Sequence, residues 1–232
     1  MYKALAATIA LTTSTLFLGA CDSSSQQNTS AKPAAIDLKV PAGQYKHDPY
    51  HSTLAFSVTH LGLSNYVMRF PDYSIDLDLK PDNLSQSSLK VTIDATSIDT
   101  DYTGDYQATH EKSPFKTWEE DLTQSPKFLN ASQHPTITYE STDISKSDGK
   151  LNIEGNLTLL GQTHPVTLQA TLVGQEAQHP FFGFGALGFS VSGSFERSQF
   201  GMTHLTQPPL ISDTVTVNFE GELHQVVEQD AK

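Results

Sequence analysis

A single cysteine, Cys21, is all the thiol this chain of 232 residues has, so no disulfide can form within it in any redox compartment. Basic residues are also scarce: 14 Lys and Arg stand against 26 Asp and Glu, for a formal net charge of −12. Neutralising nucleic-acid phosphates needs a basic patch, which excludes a nucleic-acid partner. Charge alone likewise gives no hold on an anionic lipid surface. No uninterrupted apolar run reaches the roughly 20 residues that a membrane-spanning helix needs. Catalytic signatures are missing too, with no G-x-S-x-G and no H-E-x-x-H. Gly183-x-Gly185 with Gly188 has neither a following lysine nor a strand-loop-helix frame, and so is no phosphate loop. Tryptophan occurs once, at Trp118.

The chain does have a patterned beginning. Residues 1–20 carry one charge, Lys3, then an apolar stretch from Ala4 to Leu18, the make-up of a secretory signal. Leu18-Gly19-Ala20-Cys21 resembles the lipobox of bacterial lipoproteins, which implies that Cys21 is acylated and becomes the mature N-terminus, anchored by more than the two acyl chains stable attachment requires. Such a protein is expected in the cell envelope, facing the periplasm. Asp22 resembles an inner-membrane retention signal of enteric bacteria, a rule that varies between bacterial groups, so both membranes stay open. Residues 21–42, rich in Ser, Gln, Ala and Pro, read as a flexible tether. A barrel domain is expected over 43–224 and a tail over 225–232.

From Tyr45 onward the period is two. Leu54, Phe56 and Val58 share one strand face, and after a turn at Gly62 to Asn65 the alternation resumes with Tyr66, Met68 and Phe70, so the two runs read as an antiparallel pair. Ile75-Leu77-Leu79, Leu89-Val91-Ile93, Ile137-Tyr139, Phe189-Val191 and Val215-Val217-Phe219 continue it, with turns expected at Pro81-Asp82-Asn83, Ser147-Asp148-Gly149, Gly161 and Gly174. Many short alternating strands at hairpin spacing predict an all-β fold, an extended antiparallel β-barrel, whose closure removes exposed edges. One interval departs from the pattern. Ser113 as N-cap, Pro114 as first helical residue, and Phe115, Trp118 and Leu122 on one face predict a helical insertion packed over the barrel. Phe181 to Gly188 reads as an apolar, glycine-rich loop.

The histidines offer little. His47 and His51 in H-D-P-Y-H lie about 13 Å apart along a strand, and Pro49 forbids a helix, so no shared metal ion is expected unless a tight turn brings in His60. The others, His179 and His224 among them, have no ligand spacing along the chain. Ser52 follows His51 but points to the opposite strand face. No catalytic constellation and no metal or cofactor is expected. Arg197, between Phe195 and Phe200, reads either as a phosphate or quinone contact or as a structural pair.

Several separated segments together resemble the YceI-like, polyisoprenoid-binding family. They begin with Tyr45, His47-Asp48-Pro49, His51-Ser52, Phe56 and His60-Leu61-Gly62. Ser97-Ile98-Asp99-Thr100, Ser125-Pro126-x-Phe128 and His134-Pro135-Thr136-Ile137 follow, and then Gly155-x-Leu157-Thr158-Leu159-x-Gly161, Arg197-Ser198-x-Phe200-Gly201-Met202 and Ser212-Asp213-x-Val215. The resemblance implies a lipocalin-like barrel with a hydrophobic tunnel for an isoprenoid lipid or similar amphiphile. Its candidate walls are Phe56, Val58, Met68, Phe70, Ile137 and Tyr139, with Phe189 and Val191, and with Phe115 and Trp118 from the helix. Any of these serves equally as plain core. Met68 stands where the family usually has glycine. Both Ser113-Pro114 and Ser125-Pro126 fit the family's Ser-Pro place, which implies an insertion of about twelve residues, and no Arg-Asp pair survives there. Two other classes compete with lipid carriage: a filled barrel acting through protein partners, and a hydrolase using His47, His51 or His60.

Overall fold

The computed structural model describes residues 36–207 and 210–227. The signal segment, Cys21, the first part of the tether and residues 228–232 lie outside them. Ten strands form one antiparallel sheet: β1 (Gly43–His47), β2 (Thr53–His60), β3 (Ser64–Arg69), β4 (Tyr73–Leu79), β5 (Ser88–Asp94), β6 (Thr136–Ser147), β7 (Lys150–Leu159), β8 (Gln162–Glu176), β9 (Ala186–Glu196) and β10 (Thr214–Gln225). Between β5 and β6 the chain makes two short helices, α1 (Tyr106–Thr109) and α2 (Trp118–Gln124).

The ladder runs β1-β4-β5-β6-β7-β8-β9-β10, and β10 returns to β1, so eight strands close a ring. The last part of β10 pairs with β1 through Leu223↔His47 and Gln225↔Tyr45, while its first part pairs with β2 through Thr216↔Ser57 to Glu220↔Thr53. β1 and β2 thus share one edge of β10, interrupted by Asp48–Ser52. Gly221 lets that interruption lie close, because a Cβ there would stand 2.3 Å from the Ser52 hydroxyl. β2 pairs onward with β3. The far edge of β3 has no ladder among the described residues, only the isolated bridge Arg69↔Asp99, reinforced where the Arg69 guanidinium donates to Asp99 and Asp101 at 2.7 and 2.8 Å. One end of the barrel is therefore a continuous ring, and the other has a seam.

Alternation places the core. Ile75, Leu77 and Leu79 are buried while Ser74, Asp76 and Asp78 beside them are not, and Leu151-Ile153-Leu157-Leu159 repeat this on β7, the two-residue period of a sheet with one wet face. Two hairpins turn where glycine was read: Asp148-Gly149 and Leu160-Gly161 both have φ between 48° and 76°, the two-residue turn whose twist suits paired strands.

Four expectations are corrected. Gly174 is no turn; it lies inside β8, at the register shift between Leu172 and Gly174 opposite Gly188. The longer helix begins at Trp118, not Pro114. Thr117 caps it by accepting the Glu120 N–H at 3.1 Å, and Glu120 reaches back to the Lys116 N–H at 2.7 Å, a reciprocal cap that outcompetes Ser113. Ser113 instead accepts the Phe115 N–H, leaving Phe115 outside both helices. The tether is packed before its expected end at 42: Ile36, Leu38 and Val40 belong to the buried cluster, and Gln175 bonds the backbone at Asp37 and Lys39.

Candidate functional site

The barrel interior is hollow. A larger chamber of about 450 Å³ lies between β2, β3 and the helical insertion, and a smaller one of about 150 Å³ lies toward the closed ring. Leu54, Ile93, Leu157, Phe195 and Val217 line both, so the chambers adjoin at a waist and make one tunnel. Of the expected wall residues, Phe56, Val58, Met68, Phe70, Trp118 and Ile137 line the larger chamber, and Tyr139, Phe189 and Val191 the smaller. Phe115 lines neither, because its segment precedes the helix. Phe56 and Phe70 stack at 5.0 Å, and Met68, paired with Phe56 across the ladder, occupies wall space that a glycine would leave empty.

Polar groups in this lining are uneven. The smaller chamber has little beyond Ser87, Asn218 and the Tyr139 ring. The Tyr139 hydroxyl lies 3.0 and 3.1 Å from the Ile153 and Val166 carbonyls, satisfied within the wall, and burial pushes its pKa up. The larger chamber has His60, Ser64, Tyr66, Tyr102, Tyr106, His110 and Arg197. His60 and Ser64 end β2 and begin β3, and Tyr102 is 43% exposed, so this is the mouth. The Tyr66 hydroxyl donates to the Thr100 carbonyl at 3.0 Å, and burial raises its pKa.

A lid of stacked rings covers that mouth. Tyr106 and His110 stack at 4.3 Å, Trp118 sits 5.5 and 5.6 Å from them, and Phe128 meets Trp118 and His204 edge-on at 6.2 and 5.5 Å. The Tyr106 hydroxyl donates to Asp121 at 2.6 Å, and Thr100 donates to Glu119. Both helices are thereby tied to the segment that bridges the seam. Tyr102, Tyr106 and His110 escaped the sequence reading, although a ring every four residues beside the only tryptophan was the available signal.

Arg197 lines the larger chamber, but most of its guanidinium is spent on backbone. It is 3% exposed, and its guanidinium donates to backbone carbonyls of the loop before β10: Nε to Ser212 at 3.0 Å, Nη1 to His204 at 2.8 Å and Met202 at 3.3 Å, and Nη2 to Ile211 at 3.4 Å. Burial lowers its pKa. These bonds run to main-chain carbonyls and not to a carboxylate, and they shape one lip of the mouth.

The histidine cluster of the opening motif does not assemble. His47 stacks on Tyr73 at 4.6 Å and accepts the Ile75 N–H at 3.2 Å, His51 meets Asp48 at 2.5 Å, and His60 lies at the mouth. Ser52 bonds the backbone of Glu222, so no serine-histidine pair forms there. The reading of the remaining histidines as scattered also gives way, since His179 and His224 converge with Glu222 on the outer face.

Comparison with known proteins agrees with this architecture. The sequence matches the YceI-like domain over residues 45–223. A UPF0312 protein of Pseudomonas aeruginosa is 36% identical over 163 residues, 69% of this chain and 77% of the relative. Protein YceI of Salmonella arizonae is 32% identical over 182 residues, 78% of this chain and 87% of the relative. Among solved structures, Campylobacter jejuni YceI matches with a TM-score of 0.59 at 27% identity, over 73% of this chain and 90% of that one. BcnA of Burkholderia cenocepacia matches in fold with a TM-score of 0.61 at 20% identity, over 76% and 98%. So does a polyisoprenoid-binding domain from Saccharophagus degradans, with a TM-score of 0.52 at 12% identity, over 80% and 100%. Because the matched region takes in every strand from β1 to β10 and the walls of both chambers, the chain belongs to the YceI-like family.

Proposed function

We propose that this protein is a lipid-anchored component of the bacterial cell envelope, facing the periplasm, that sequesters or carries an isoprenoid-chain lipid such as a polyprenyl or quinone-like amphiphile. The observation that carries the reading is the gradient inside the tunnel: apolar at the closed end, with hydroxyl and imidazole groups gathered at the mouth. An amphiphile entering tail first meets hydrocarbon along its length and leaves its polar end beside Tyr66, Tyr102, Tyr106 and His110. The larger chamber falls within the ~300–1,000 Å³ of ligand pockets, and the smaller is too small for a ligand of its own but accepts a chain end. Each buried CH2 is worth ~0.8 kcal/mol. The Saccharophagus domain, described as polyisoprenoid-binding, supports the ligand class, and the lipobox-like residues ending at Cys21 support the anchor.

The test is organic extraction of the full-length protein purified from membranes, followed by mass spectrometry and by titration of the stripped protein with a polyprenyl phosphate and a quinone. A co-purifying long-chain lipid and saturable binding are expected. An empty protein that neither lipid saturates would refute the reading and favour a partner-binding role, for which Phe181 and Phe182, 86% and 64% exposed, are the available surface.

A further inference from the structure

We propose that the outer face of β10 carries a site for a divalent transition metal, built from His179, Glu222 and His224. Glu222 and His224 are two residues apart on a strand, so they project to the same side. That side is outward, because Phe219 and Leu223 line the smaller chamber. His179 comes from the loop between β8 and β9, which is folded back onto β10: the Gln225 N–H donates to the Gly185 carbonyl at 2.8 Å, and the Gly185 N–H to Gln225 Oε1 at 3.1 Å. Inside the loop, the His179 N–H donates to the Phe184 carbonyl at 2.6 Å and the Gly183 N–H to the His179 carbonyl at 2.7 Å. One ligand atom from each of the three side chains lies within 4.8 Å of the others, and all three residues are half-buried. Phe182 stacks on His179 at 4.9 Å and Phe184 lies 5.1 Å from His224, fixing both rings from outside.

The donor set names the class of ion. Two imidazoles and one carboxylate suit zinc, copper(II) or nickel, whereas magnesium and calcium take oxygen ligands. Three protein ligands leave a further position, and a second group stands beside it. Asp48 and His51 form another cluster with the same Glu222, with Asp48 accepting the Tyr50 N–H at 3.0 Å and meeting His51 Nδ1 at 2.5 Å.

Binding rearranges the hydrogen bonds of both rings. His224 Nε2 lies 3.0 Å from Glu222 Oε2, a contact that needs a proton on that ring nitrogen; coordination at Nε2 replaces the contact, and the neutral ring keeps its one proton by carrying it on Nδ1. The long 3.3 Å bond from the Phe181 N–H to His179 Nδ1 is given up whichever ring nitrogen ligates, because the other nitrogen then holds the ring proton. The bound ion straps the aromatic loop to the barrel wall, so Phe181 and Phe182 are held at the surface.

The experiment uses the full chain without an added histidine tag, stripped by chelator and titrated with Zn2+ by calorimetry. One equivalent of zinc is expected to bind. His179→Ala and His224→Ala should each weaken binding at least ~100-fold, beyond the ~10–100-fold that a merely supporting residue costs, with unchanged circular dichroism. His60→Ala should bind as wild type. Zinc should also slow chymotrypsin cleavage at Phe181 and Phe182 in wild type, and not in His179→Ala. No stoichiometric binding, or equal affinity in the His179→Ala and His224→Ala variants, would overturn the proposal. So would binding lost in His51→Ala alone, which moves the ion onto the Asp48 cluster.

Discussion

The two chambers of the tunnel share a waist but are closed by different means. Around the smaller one the wall is a complete ring of eight strands, sealed by side chains that alternate inward, by Tyr45 with no exposure at all and by Leu187 at 1%. Around the larger one the ladder stops at β3, and closure falls to a lid of aromatic rings, one arginine and a bridge between two residues. Where regular pairing continues, backbone hydrogen bonds and the two-residue period do the holding; where it ends, individual side chains must satisfy backbone groups that have lost their ladder partners.

Filling each chamber in turn should give the largest effects. Val58→Trp places an indole in the larger chamber; excluding about one five-carbon unit at ~0.8 kcal/mol per CH2 weakens lipid binding roughly a hundred- to a thousand-fold. Ala170→Leu fills the smaller chamber instead and should weaken only the longest chains. Titration with a chain-length series reads both, and identical losses for short and long lipids in the two variants would mean that the chambers do not form one tunnel.

Next in size is the arginine of the lip. Arg197→Leu leaves carbonyls at Met202, His204, Ile211 and Ser212 without their donor, and urea denaturation should record a loss of about 3 kcal/mol or more. Unchanged stability with weakened lipid binding would restore Arg197 to the headgroup. The matching change in the ring wall is smaller: Tyr139→Phe removes one hydroxyl shared between two carbonyls and should cost about 1 kcal/mol, with lipid affinity unaltered.

The smallest effect is a pH dependence confined to the mouth. Burial lowers the pKa of His204, and the nearby charges of Lys127 and Arg197 lower it further against the pull of Asp121. A histidine whose folded pKa lies below its unfolded value of ~6.5 contributes stability that is fully present above that value and is lost as pH falls through the folded one. Thermal melts from about pH 7.5 to about pH 5 should therefore drop more steeply for wild type than for His204→Gln. Parallel curves would remove His204 from the account.

The same contrast explains what the sequence made legible. Alternation in Leu54-Phe56-Val58, Ile75-Leu77-Leu79 and Ile137-Tyr139 is a local pattern, so the walls and their inward residues were readable before any fold was known. Gly174 misled because a glycine that relieves a bulge inside a long strand looks, along the chain, like one that makes a turn. Ser113 misled because Ser-Pro is a sound helix start, and only the reciprocal bonds of Thr117 and Glu120 show which start prevailed. The role of Arg197 was invisible, since its acceptors are carbonyls with no side-chain identity. The pairing of His179 with His224 was equally hidden, because the loop that unites them is brought back by one backbone and one side-chain bond between Gly185 and Gln225.

The seam beside β3 bears on how lipid could leave a barrel that stays folded. Along every other strand boundary, parting the wall means breaking a run of ladder bonds together. At this one, two backbone bonds between Arg69 and Asp99, the Tyr66 hydroxyl's bond to the Thr100 carbonyl and a guanidinium half open to water are what must yield, so local opening there is energetically separate from global unfolding. The weakest line of the wall therefore runs along that flank. The Arg69 and Asp99 amides, each bonded to the other's carbonyl across the seam, should exchange with solvent ahead of the amides paired within the ring, through local opening and not through global unfolding.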